Sequence, residues 1–256
     1  MSLLDGLIFF PDADVPAPPP GVVEQTFAAS DGVRLHAWWA EAPGARATLV
    51  WSHGNGGNIA GRSAVLRGLA ARGVSVLAYD YRGYGRSEGS PSEEGVYLDV
   101  LAAYDHLRAR GVPESRLVAF GESLGSAVSV RLAAKRPCAA LVLVSPFTRM
   151  QDVARVHYGP LGVLAGDRFD AVGLIPTIRR PVLIAHGDQD EIVPFELGVR
   201  LFEAANEPKR FLRVEGAHHN DVFASGELLD AIARFANEAV GGSFRNNSPA
   251  PRTPSS

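Results

Sequence analysis

Along the chain, short apolar runs alternate with amphipathic stretches, and this alternation is the first readable signal. Segments 48–51, 74–79, 116–120, 140–144, 182–185 and 210–214 are brief runs rich in Val, Leu, Ile and Ala, bounded by Gly and polar residues. Runs of this length without internal alternation are expected of strands buried on both faces. Between them, segments 62–72, 93–110, 124–135, 195–205 and 221–239 repeat apolar residues at helical spacing. In the second of these, Val96, Val100, Ala103 and Leu107 share one face behind Ser92, a suitable N-cap. Strand and helix in alternation predict an α/β fold, a mostly parallel central sheet with helices on both faces. Segments 24–29 and 33–41 flank Ser30-Asp31-Gly32, which predicts an antiparallel N-terminal hairpin at the sheet edge.

The ends and one internal segment depart from this rhythm. Residues 1–20 form a Pro-rich lead-in, because proline fixes φ and lacks the donor an inner strand needs. Residues 21–240 are expected to be a single domain, and the Gly/Ser/Asn/Pro tail 241–256 to be disordered. Within the domain, 146–178 scatters Phe147, Met150, Tyr158, Leu161 and Leu164 among Gly and Pro. It reads either as a short lid-like insertion or as an irregular crossover helix.

Composition narrows the function classes. Over 256 residues, 46% are hydrophobic and 21% charged, so a sizeable core is available. Twenty-five basic against 28 acidic residues, a net charge of -3, offer no basic footprint for nucleic acid. The single cysteine, Cys138, cannot close an intramolecular disulfide and is expected as core filler. The apolar patch 3–10 is interrupted by Asp5 and Gly6 and is far short of the ~20 residues of a membrane span. No membrane span, no basic leader and a cytoplasmic location are the corresponding expectations.

The chemistry sits in the loops that follow the predicted strands. Gly121-Glu122-Ser123-Leu124-Gly125 lies between a strand and an apolar helix, the context a nucleophile elbow requires. With 27 glycines in the chain the string alone is unspecific, and Ser123 has a bland reading as a helix cap. A serine hydroxyl needs a base and an orienting acid to become a nucleophile. The loop after 182–185 supplies Asp188 and Asp190, and the loop after 210–214 supplies His218 and His219. All three loops fall at the carboxyl edge of a parallel sheet, where ligands bind. His53-Gly54-Asn55-Gly56-Gly57-Asn58, after 48–52, is a Gly-rich turn able to present backbone N–H groups to an oxyanion, with His53 bracing the turn. The second donor is the N–H of Leu124. Glu122 is read as a salt-bridging residue.

Two rival chemistries draw on residues of the same loops. Gly56 to Ser63 is one residue from a phosphate-binding loop, with Arg62 where lysine belongs. His186, Asp188, His218, His219 and Asp221 contain metal-ligating types, but adjacent histidines seldom face one ion and no H-E-x-x-H is present. The fold also hosts binding-only proteins.

Taken together, these motifs resemble the α/β-hydrolase superfamily, within it the small, lid-poor serine hydrolases similar to carboxylesterases and acyl-protein depalmitoylase-like proteins. The likeness runs from about Asp31 to about Phe235 and includes Asp80-Tyr81-Arg82-Gly83-Tyr84-Gly85-Arg86-Ser87. It implies Asp190 rather than Asp188 as the acid, His219 rather than His218 as the base, and the Asn55 N–H as an oxyanion donor. The resulting expectation is a serine esterase or thioesterase acting on a small-molecule acyl substrate, with catalytic Ser123, Asp190 and His219 and no metal or cofactor. Phe147, Met150, Tyr158, Leu161 and Leu164 are expected to border the acyl pocket. Long-chain acyl-protein thioesterase, lipase-like and aminopeptidase activities are the alternatives. Membrane-bound relatives often carry a spanning helix or a lipidation cysteine cluster at the N-terminus, and neither is visible here.

Overall fold

The computed structural model describes residues 5–244. A one-turn helix α1 (Asp5–Ile8) and a two-residue strand β1 (Phe10–Pro11) lead to the hairpin β2 (Val22–Ala28) and β3 (Arg34–Ala40). Next come β4 (Thr48–Ser52), the two-residue β5 (Gly56–Gly57), α2 (Ser63–Ala71) and β6 (Ser75–Tyr79). The chain continues through α3 (Glu93–Ala109), β7 (Leu117–Glu122), α4 (Leu124–Lys135), β8 (Ala140–Val144) and α5 (Met150–Tyr158). It ends with α6 (Ala171–Leu174), β9 (Val182–Gly187), α7 (Phe195–Ala204), β10 (Lys209–Val214) and α8 (Gly226–Val240).

Eight strands form one sheet in the order β10-β9-β8-β7-β4-β6-β3-β2. The β2/β3 and β3/β6 pairs are antiparallel and every other pair is parallel, as the alternation of elements and the edge hairpin predict. The apolar runs are continuous because both faces are covered. Along β4, Val50 joins the core beneath α3, α4 and α7, whereas Leu49 and Trp51 join the opposite core beneath α2 and α8. The Ser92 hydroxyl caps α3 by accepting the Gly95 N–H at 3.1 Å. The loop after β6 is anchored by Arg82, whose guanidinium pairs with buried Asp99 of α3 and with Asp31 of the hairpin turn. Cys138 is buried, and burial pushes its thiol up to about 11. Among the described residues no helix is long and apolar enough to cross a membrane.

Three expectations change. The lead-in is not merely extended chain: β1 pairs in parallel with β5, Phe10 opposite Gly56 and Pro11 opposite Gly57. Proline is tolerated there because this tiny sheet is all edge. The start of the expected disordered tail is folded, since Phe244 packs edge-on to Phe235 and under Arg210; residues 245–256 lie outside the described residues. Finally, 221–225 is turn rather than helix, and α8 starts after Ser225, whose hydroxyl accepts the Glu227 N–H.

Candidate active site

The turn from β7 into α4 is made by Ser123 at φ 51° and ψ -118°, a conformation that L side chains rarely adopt. The flanking glycines permit it sterically. A Cβ on Gly121 would lie 2.3 Å from the Gly125 carbonyl oxygen, and one on Gly125 would lie 1.9 Å from that of Ser52. Strand, turn and helix therefore approach closely only with glycine at both positions. The Ser123 N–H donates to Val144 of the neighbouring strand at 2.9 Å, fixing the turn against the sheet.

Two more loops from the same sheet edge converge on this serine. His219, after β10, lies with Nε2 at 3.0 Å from Ser123 Oγ and Nδ1 at 2.7 Å from Asp190 Oδ2. Asp190, after β9, accepts the N–H groups of Val193 (2.7 Å) and Ile192 (3.0 Å) through its other oxygen. Burial alone would raise the Asp190 pKa. Hydrogen bonds from His186, His219 and the Val193 N–H outweigh it and hold the carboxyl well below the usual range. His186, which the sequence offered only as a metal-ligating type, instead braces this carboxylate: its Nε2 lies 2.8 Å from the Val193 carbonyl and 3.3 Å from Asp190 Oδ2.

The pairs left open by residue type separate in space. Asp188 binds Arg213 and the Gly216 N–H, bracing the histidine loop, while His218 pairs with exposed Glu191. Among the described residues no group of three or more His, Cys, Asp or Glu side chains could hold a metal ion.

The Gly-rich loop after β4 forms the next wall. Asn55 and Leu124 both line the cleft beside Ser123, and among the described residues neither backbone N–H donates to a protein acceptor. Leu124 is also the first residue of α4, where the helix dipole favours negative charge. His53 is fully buried, its Nδ1 2.6 Å from the Gly54 carbonyl. Burial, aided by the positive charge of Arg62, lowers its pKa to about 4, so it braces the turn as a neutral ring. Arg62 donates to the Gly56 carbonyl at 2.7 Å and faces Glu122 at 3.4 Å. Its guanidinium serves the loop, and the phosphate-loop reading finds no free cation in it.

The resulting cleft has a volume of about 720 Å³ and is walled by Phe147 and Met150 together with Val153, Ile192, Val193, Phe223 and Phe10. Tyr158, Leu161 and Leu164 do not reach it. They are 71, 68 and 68% exposed on the outer side of the 150–165 segment. Only the first turn of α5 faces the cleft, and the 3₁₀ turn Gly159–Ala165 folds back on α5 instead of over the mouth. The sequence pattern placed all five apolar residues in one segment but carried no information about which side of it would be covered.

Comparison with known proteins agrees with this architecture. The family model described as serine aminopeptidase, S33, matches residues 43–168. The chain is 42% identical over 249 residues to Uncharacterized protein Rv2307c of Mycobacterium tuberculosis, covering 91% of this chain and 87% of that one. It is 38% identical over 201 residues to human alpha/beta hydrolase domain-containing protein 17B, covering 78% and 69% respectively. Among solved structures, the Pyrococcus furiosus esterase Pf2001 superposes with a TM-score of 0.75 at 20% identity, over 90% of this chain and 98% of that one. The esterase domain of a Rhodothermus marinus protein does so with 0.66 at 25% identity, over 83% and 98%. The sheet with its antiparallel edge, the serine on the turn after β7 and these similarities meet in one conclusion: the chain belongs to the α/β-hydrolase superfamily.

Proposed function

We propose that the protein is a serine hydrolase that cleaves carboxylic esters of short- to medium-chain acids, or the corresponding thioesters, through an acyl-enzyme. The observation that carries this reading is the hydrogen-bonded chain Asp190–His219–Ser123, ending at a strained serine that opens into an apolar cleft. The Ser123 O–H donates to His219 Nε2, and the Nδ1–H of His219 donates to Asp190, which selects the tautomer that leaves Nε2 free to accept a proton. As Oγ attacks the acyl carbon, His219 takes the proton and negative charge gathers on the carbonyl oxygen. The Asn55 and Leu124 N–H groups are the available donors to that oxyanion, each worth about 3–4 kcal/mol in comparable sites. Collapse breaks the bond to the leaving alcohol or thiol, which takes its proton from His219. Water then attacks the acyl-enzyme with His219 again as base, releasing the acid and restoring the Ser123 hydroxyl. Each turnover consumes one ester and one water.

Two features support an ester over an amine-bearing peptide. The apolar walls suit an acyl chain, and the acidic side chain lining the cleft, Glu122, faces Arg62 rather than standing free for an ammonium group. Hydrolysis of p-nitrophenyl esters from acetate to palmitate by wild type and Ser123→Ala tests the reading. A rate maximum at short or medium chain length that vanishes in the variant is expected. A well-folded wild type inactive on every chain length, or an active Ser123→Ala, would overturn it.

A further inference from the structure

A Gly-rich oxyanion loop poses a physical problem. Gly54, Gly56 and Gly57 leave the loop with more backbone freedom than any other residue type allows, yet a donor must hold its place to within about 0.5 Å to act on a transition state. Arg62 holds one side of the loop through the Gly56 and Asn58 carbonyls. The other side is held by the N-terminal segment.

Here the contacts form a continuous set. The Asn55 side chain donates through Nδ2 to the Ile8 carbonyl and accepts the Tyr84 hydroxyl proton on Oδ1 at 2.9 Å. That same hydroxyl oxygen accepts the Phe10 N–H at 3.1 Å. Asp12 N–H donates to the Gly57 carbonyl at 3.2 Å, extending the β1/β5 pairing. Asn58 Nδ2 donates to the carbonyls of both Asp12 (3.1 Å) and Asp14 (2.9 Å). The outer edge of the segment is tied down in turn, by Gly85 N–H to the Asp12 carbonyl and by Arg86 to the Val15 carbonyl. Ile8, Phe9 and Val15 are buried and anchor both ends.

We propose that residues 8–14 act as a strap that positions the oxyanion loop, with Tyr84 and Asn58 as the positioning residues that couple the strap to it. The proposal rests on the ester-hydrolase reading above. Among the described residues the hydrogen bonds of His219 and Asp190 run to Ser123, His186, Ile192 and Val193 and none to the strap, so its loss leaves proton transfer intact and lowers the share of molecules with the Asn55 N–H in place. If that share falls to between a tenth and a hundredth, turnover falls by about 10–100-fold.

Two variants of the 256-residue chain test this. Asn58→Asp keeps the acceptor that caps the turn at the Ala60 N–H, but sets a carboxylate oxygen against the two strap carbonyls. Tyr84→Phe removes one hydroxyl that serves both Asn55 and Phe10, in an isosteric ring that keeps the core filled. Measured on the best p-nitrophenyl ester, kcat is expected to fall about 10–100-fold for Asn58→Asp and about 5–20-fold for Tyr84→Phe. KM should stay within about twofold and the pH profile should keep its midpoints, because the base is untouched. Faster hydrogen exchange at the Asp12 amide should accompany the loss in Asn58→Asp. Wild-type kcat in both variants would overturn the strap, as would a loss confined to KM or a loss of activity that merely tracks a lowered Tm. The two readings fail separately. An active Ser123→Ala overturns the hydrolase reading, and the strap's role with it. Ser123-dependent turnover indifferent to both variants overturns the strap alone.

Discussion

Gly125→Ala is the most demanding test of how the elbow is built. The added methyl carbon would stand 1.9 Å from the Ser52 carbonyl oxygen, 2.5 Å from its carbon and 2.7 Å from the His53 carbonyl oxygen. Real Cβ atoms essentially never come closer than 3.0 Å to such neighbours, and all three atoms are backbone, so no side chain can swing aside. Relief therefore requires the first turn of α4 and the end of β4 to separate by on the order of 1 Å. Those two pieces carry Leu124 and, beyond His53, Asn55. A displacement of that size at a reacting centre costs about 100-fold in rate, and overpacking costs about 1–3 kcal/mol in stability. Gly61→Ala is the control, since a Cβ there meets nothing within 4 Å although Gly61 also lines the cleft. Ester hydrolysis and thermal melts of the three proteins give the answer. Gly125→Ala should lose about 100-fold in kcat while remaining folded at the assay temperature, and Gly61→Ala should match wild type. A Gly125→Ala protein with wild-type kcat and Tm would refute the steric account of the elbow.

Further outcomes follow from neighbouring parts of the site. Ser123→Gly should be inactive yet more stable than Ser123→Ala by about 1 kcal/mol in denaturant unfolding, because glycine relieves the positive φ that alanine retains. Asp190→Asn should lower kcat by about three to four orders of magnitude. Because the folded-state pKa of Asp190 is depressed, its stabilising contribution is full above the unfolded value of about 3.9 and is lost as pH falls. The Tm gap between wild type and Asp190→Asn should therefore be widest near neutrality and close on acidification; a gap that widens in acid would contradict the assignment. Phe147→Ala and Met150→Ala should shift the chain-length preference toward longer acyl groups, whereas Leu161→Ser and Leu164→Ser should leave rates on soluble short esters within about twofold, since those side chains point away from the cleft.

What the chain determines locally could be read from short windows. Strands without internal polar residues, such as Ala140–Val144, announce a sheet covered on both faces, and the observed boundaries of that strand and of Leu124–Lys135 match those expected. Gly121 and Gly125 around Ser123 mark the tight turn because backbone sterics act within a few residues. The parallel topology then sends the loops after β7, β9 and β10 to one edge, so the region of the candidate site is legible from the order of the elements.

Tertiary structure decided everything that depends on which surfaces meet. Asp188 and Asp190 stand two residues apart in one loop and differ only in partners, Arg213 for the first and His219 with His186 for the second. Asn55 bonds to Ile8 and Tyr84, 47 and 29 residues away in sequence, and Tyr84 in turn to Phe10, 74 residues away. No periodicity reports such pairings. Tyr158, Leu161 and Leu164 show the converse: apolar residues are sent inward only where a partner surface exists, and among the described residues nothing covers the two that the 3₁₀ turn carries. Periodicity and turn sterics are properties of neighbouring residues, while the pairing of the N-terminal segment with the Asn55 loop, the different partners of Asp188 and Asp190 and the extent of the cleft arise from long-range contacts that form only once the sheet has brought distant segments together.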